Sequence, residues 1–145
     1  MADLQLNVKR LRPDAQLPVY AHEHDACFDL HTVDSGYLPP KQSGVFGTGL
    51  AFDIPPGYCM LVFSRSGMGF NQGVRLVNCV GVIDPGYHNE VMVGLFNDSG
   101  TTRVIDVGNR IAQAMLIPRP KVAVREVQQF DGERRASAGF GESGR

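Results

Sequence analysis

Glycine, proline and aspartate interrupt this chain roughly every eight to twelve residues, and the stretches between them are short and rich in Val, Ile, Leu and Phe. A chain broken that often has no room for long amphipathic helices. It builds short strands joined by tight turns, which means an all-β sandwich or barrel. The spacing predicts strands at Leu4 to Lys9, Cys27 to Thr32, Gly44 to Asp53, Tyr58 to Ser64, Val74 to Ile83, Glu90 to Asn97, Thr102 to Asp106, Arg110 to Ile117 and Val122 to Gln129. Arg110 to Ile117 contains Ala, Gln and Met, which also favour helix, but a short run between Gly108-Asn109 and Pro118 suits a strand better.

With 145 residues, 43% of them hydrophobic, the chain has enough apolar material for one domain with one core. After Phe130 the composition shifts to Asp, Gly, Glu, Arg, Ser and Ala, with the single aromatic Phe140 between two glycines. This divides the chain into a β domain over 1–130 and a flexible arm over 131–145, able to bring charge, a stacking face and open backbone to a ligand. A net charge of −1 provides no general field for nucleic acid or an anionic membrane, so neither is an expected partner. No apolar run reaches bilayer length, and Met-Ala-Asp-Leu-Gln-Leu lacks the shape of a secretion signal, so the expected location is cytoplasmic. Cys27, Cys59 and Cys79 form no C-x-x-C pair and are odd in number, which reads as free, mostly buried thiols. His22, Glu23, His24 and Asp25 read as a polar loop rather than a metal cluster, because no third ligand follows at a usual zinc spacing.

The most pointed local pattern lies between Leu76 and Asn97. Two apolar runs, Leu-Val-Asn-Cys-Val-Gly-Val-Ile and Val-Met-Val-Gly-Leu-Phe-Asn, flank the corner Asp84-Pro85-Gly86-Tyr87-His88-Asn89-Glu90. Proline presets φ and glycine accepts a positive φ, so Pro85 and Gly86 suit the centre of a type II turn. A hairpin would then carry Asp84 and Tyr87 at its tip, and even spacing would place Asn78 on the same strand face as Asp84.

Four further motifs accompany this corner: Asp25-Ala-Cys-Phe-Asp29-Leu, Ser64-Arg65-Ser66-Gly67-Met68-Gly69, Gly108-Asn-Arg-Ile-Ala-Gln113 and Arg135-Ala-Ser-Ala-Gly-Phe140-Gly-Glu-Ser143-Gly. In this order and at these separations the five together resemble the motifs of the homotrimeric dUTPases over nearly the whole chain. The resemblance implies a jelly-roll-like distorted β-barrel or sandwich, a homotrimer, and Mg²⁺-dependent hydrolysis of dUTP to dUMP and pyrophosphate. That reaction keeps uracil out of DNA and supplies dUMP for thymidylate synthesis.

It also distributes the chemistry. Asp84 matches the carboxylate that orients the attacking water, a role that needs hydrogen-bond reach and rigid placement. Asn78 and the main chain around it match the uracil-reading face, and Tyr87 the ring beneath the deoxyribose, filling the space of a 2′-hydroxyl. Arg65, Ser66, Gly67 and Gln113 match phosphate-binding positions. Asp29 matches the aspartate that meets Mg²⁺ through water, in keeping with an ion that retains its hydration. In the arm, Phe140 would stack on uracil, while Arg135, Gly141 and Ser143 would close on the phosphates. Cys27, Ser64, His88-Asn89, Ala136 and Ala138 depart from the usual pattern. The alternative readings are an enzyme resembling dCTP deaminase, which shares an Ile-Asp-Pro-Gly corner, and a non-catalytic nucleotide-binding regulatory β-sandwich.

Overall fold

The structure, a computed structural model, describes residues 4–130. The arm over 131–145, with Arg135, Phe140, Gly141 and Ser143, lies outside them. In chain order the elements are β1 (Asn7–Arg10), β2 (Phe28–His31), β3 (Gly36–Leu38), β4 (Ser43–Gly47), β5 (Leu50–Asp53), β6 (Tyr58–Phe63), α1 (Ser66–Gln72), β7 (Val74–Leu76), β8 (Val80–Ile83), β9 (Met92–Asn97), β10 (Arg103–Ile105) and β11 (Arg110–Pro118). The strands pair antiparallel into sheets of order β2-β11-β6-β8 and β4-β9-β7, with two ribbons, β1-β5 and β3-β10. The described residues form a jelly-roll-type β-sandwich with no closed barrel.

Alternation along the strands explains the core. In β2, Phe28 and Leu30 face inward while Asp29 and His31 face the other way; in β9, Val93, Leu95 and Asn97 point in. Leu30, Leu38, Leu50, Phe52, Met60, Leu76, Leu95, Ile105 and Ile111, drawn from both large sheets and both ribbons, are at most 2% exposed. Each such side chain contributes about 1.5–3 kcal/mol by leaving water. Buried Asn97 is satisfied, its amide donating to the Leu38 and Thr101 carbonyls at 2.8 Å each and its oxygen accepting from Ser99.

Several sequence expectations need correction. Gly44 to Asp53 is two strands, because the chain turns at Gly49, whose φ of +67° is left-handed. Val74 to Ile83 is also two strands, broken at Cys79 with φ +62°. That turn carries the chain from one sheet to the other, so the two apolar runs do not pair as a hairpin: β8 pairs with β6, and β9 with β4 and β7. Val122 to Gln129 alternates like a strand but forms none, and every residue in it is exposed. A strand needs a partner edge, and within the described residues this segment has none. The short β3 and α1 were not foreseen. Gly67 and Gly69 disfavour helix, yet α1 is anchored by buried Met68 and stopped by left-handed Gly73. Of the cysteines only Cys59 is buried; Cys27 is half-buried and Cys79 exposed.

Candidate active site

The corner between β8 and β9 is the type II turn that Pro85-Gly86 predicts. Gly86 has φ +88°, and the Tyr87 N–H donates to the Asp84 carbonyl at 3.2 Å. Three further contacts brace it. The Tyr87 hydroxyl donates to the Glu90 carbonyl at 3.1 Å, Glu90 Oε1 accepts the Gly49 N–H at 2.7 Å, and His88 Nε2 lies 3.3 Å from Asp53 Oδ1. The Asp84 carboxylate therefore stands exposed on a braced turn, with the Tyr87 ring beside it, 40% exposed.

Behind the corner the sheets splay. One edge of β8 is taken by β6, while β9 meets β7 only as far as the Val77 N–H to Gly94 carbonyl bond at 3.0 Å. Beyond that bond, Met92 and Val93 pair with β4 alone and Val80–Ile83 with β6 alone, so among the described residues no strand bridges β8 and β9. They border a cleft of ≈ 180 Å³ whose lining includes Val62, Asn78, Gly81, Ile83, Val91 and Gly94. Asn78 reaches this cleft from the Cys79 turn and not, as expected, from a strand shared with Asp84; neither Asp84 nor Tyr87 lines it.

A second cluster lies where β2, β6, α1 and β11 meet. Arg65 Nε donates to Asp29 Oδ1 at 2.8 Å, and Arg110 Nη1 donates to Asp29 Oδ2 at 3.2 Å. Gln113, opposite Asp29 in the β2–β11 register, donates its amide to the Ser64 carbonyl at 3.0 Å. Ser64, a departure from the family pattern, accepts the Leu76 N–H on its hydroxyl at 2.9 Å, a bond proline could not provide. A recess of ≈ 350 Å³ is lined by Ser64, Arg65, Ser66, Gly69, Phe70 and Gln113. Ser66 and Gly67 open α1 with no side-chain cap, so their N–H groups have no partner within the helix, and the space beside Gly67 is open.

Arg65, Ser66, Gln113 and Asp29 are thus brought together. Asn78 lines the other cleft, and the two clefts share no residue. Sequence reasoning missed Arg110, three residues from Gln113 and so apparently on the opposite strand face, and His31. Burial lowers the His31 pKa, with Arg110 and Arg65 adding to this and Asp29 opposing it; its Nδ1 is buried without a partner. Burial likewise raises the Cys27 thiol pKa.

The described residues thus define a β-sandwich whose polar recess is built from several strands and a helix start, in a sequence with no Walker A loop. The chain belongs to the dUTPase family, whose sequence model matches residues 13–144. It is 35% identical over 142 residues to the deoxyuridine 5′-triphosphate nucleotidohydrolase of Nautilia profundicola, covering 98% of this chain and 100% of that one. A G164S mutant of the Staphylococcus bacteriophage 80alpha dUTPase, solved with dUpNHpp, superposes with a TM-score of 0.88 at 27% identity, covering 97% of this chain and 98% of that one. A mutant dUTPase from phage phi11 of S. aureus, whose structure describes coordination of a structural Mg(II) ion, gives 0.83 at 25% identity over 88% of this chain and 99% of that one. Among the described residues no helix is long and apolar enough to cross a membrane.

Proposed function

We propose that this chain hydrolyses dUTP between the α and β phosphates, giving dUMP and pyrophosphate. The observation that carries the reading is the splayed gap between β8 and β9. There β8 has a strand partner on one edge only, and β9 before Gly94 likewise, so main-chain groups of both strands border the cleft beside the Asn78 amide. Main-chain donors and acceptors in fixed order can distinguish uracil from cytosine, and close apolar walls leave no room for the thymine methyl group.

The corner then lies at the sugar end. Asp84 accepts a proton from the attacking water and holds it in line with the α-phosphorus. The Tyr87 ring, its hydroxyl engaged with the Glu90 carbonyl, is held under the deoxyribose and excludes a 2′-hydroxyl. Arg65, Ser66, the Gly67 N–H and Gln113 take the phosphates. In the arm, Phe140 covers the base, while Arg135, Gly141 and Ser143 close on the phosphate chain and expel water.

The donor set is suited to Mg²⁺ that arrives with the triphosphate. Asp29 is the carboxylate beside the phosphate recess, both its oxygens already face guanidinium groups, and no group of three metal-binding side chains occurs among the described residues. Such a site offers one outer contact to a hydrated ion and no protein cage. When bound, Mg²⁺ neutralises phosphate charge and polarises the bond to be broken.

Because the base cleft and the phosphate recess share no residue, and the Val122 to Gln129 segment has no partner strand among the described residues, we assign the complete site to a homotrimer in which neighbouring subunits supply the parts. The reading assigns the protein to the cytosol and to free nucleotides. Pyrophosphate release measured across dUTP, dCTP, dTTP and UTP, with Mg²⁺ and with EDTA, tests it. Strong preference for dUTP that EDTA abolishes is the expected result. Comparable rates on dTTP would refute the base assignment, and ammonia released from dCTP would indicate the deaminase reading.

A further inference from the structure

We infer that Arg110 is a positioning residue: it holds the Asp29 carboxylate so that Arg65 can leave it for the phosphates. The device that places Arg110 is a bulge in β11. In a regular strand Arg110 and Gln113, three apart, would face opposite ways. Here the β2–β11 register shifts between Arg110 and Ala112: Arg110 pairs with His31, Ala112 with Leu30 and Gln113 with Asp29. Ile111 and Ala112 are both buried, at 1% and 0% exposure, and the added residue returns Arg110 to the face that carries Asp29. Bulges commonly re-aim a side chain in this way.

The clamp is asymmetric. Asp29 is 14% exposed, Arg65 23% and Arg110 50%. If Arg65 turned to a phosphate and nothing else faced Asp29, a largely buried carboxylate would lose its compensation, a costly state. That cost would oppose ligand binding. Arg110, on the second carboxylate oxygen, removes it.

This inference rests on the proposed nucleotide site, and the test separates the two. Affinity for the dUTP analogue dUpNHpp is measured without added divalent ions for wild type, Arg110→Gln, Asp29→Asn and the double variant, with melting temperatures for all four and Arg110→Lys as the conservative control. The expected result is an affinity loss of about tenfold for Arg110→Gln that disappears in the Asp29→Asn background and is partly restored by Arg110→Lys. Equal losses in both backgrounds would show that Arg110 contacts the ligand directly or acts through the fold, and would overturn the inference while leaving the proposed function intact. A folded wild type that releases no pyrophosphate from dUTP overturns both.

Discussion

Gln113 donates its side-chain amide to the Ser64 carbonyl at 3.0 Å, tying β11 to the residue that introduces Arg65 and α1. An amide nitrogen has two hydrogens, so one can serve the protein and the other a phosphate. Gln113→Ala removes both, with about 1 kcal/mol of stability lost and the KM for dUTP raised. Gln113→Glu is the harsher change, since it sets a carboxylate against a carbonyl and opposite Asp29. Melting temperature and KM for the two variants check the order; a Glu variant as stable as wild type would contradict it.

Asp84→Asn preserves shape and removes the base. Because Asp84 is exposed on a braced turn, the melting temperature stays unchanged while kcat falls roughly 10² to 10⁴ fold and dUpNHpp still binds. Near-full turnover would show that another group positions the water.

Tyr87→Ala removes a steric wall together with one of the three braces of the Asp84 corner, leaving the Glu90–Gly49 and His88–Asp53 contacts to hold it. The ratio of kcat/KM for dUTP over UTP drops by about 10- to 100-fold, mostly through improved use of UTP. An unchanged ratio would dismiss Tyr87 as the sugar gate.

The Asn7 amide, 3.3 Å away, and then the His88 ring hold the Asp53 carboxyl below its ordinary pKa. A depressed folded pKa contributes stability above the unfolded value, lost as pH falls through the folded one. The stability difference between wild type and Asp53→Asn is therefore present at neutral pH and shrinks with acidification below the usual carboxylate range. Urea midpoints across that range read it; a difference growing toward acid would contradict the sign. The groups are exposed, so the effect is small.

Removal of everything after Arg134 leaves untouched the core formed by the described residues. Light scattering is expected to report three subunits for both forms, with equal melting temperatures and severely reduced turnover for the shorter one. A fully active truncated protein would refute the lid, and a fully active monomer would refute the shared site.

Local pattern was enough to locate most strands, because alternation and turn residues leave their mark within a few positions. Partners and breaks left less. Nothing about Cys79 announces a left-handed residue, yet φ +62° there decides which sheets β7 and β8 join and therefore whether Asn78 shares a face with Asp84. The Gly49 break had a visible glycine, read as part of a continuous strand. The β11 bulge changes parity without any turn residue, which hid Arg110. Asp29, Arg65, Ser66 and Gln113 were named through the resemblance; that Arg65, Ser66 and Gln113 line one recess, with Asp29 paired to Arg65, follows from cross-strand register that no single segment encodes.

The β8–β9 gap also bears on what mutation can do. The order of N–H and C=O groups along its edges is the same for every side chain except proline. A codon change in Val80–Ile83 or Met92–Gly94 can widen the opening or clog it, but short of a proline, which deletes an N–H, it cannot rewrite the donor and acceptor sequence a base would meet. Selectivity held in that form resists drift, and retraining it toward another base would require moving a strand.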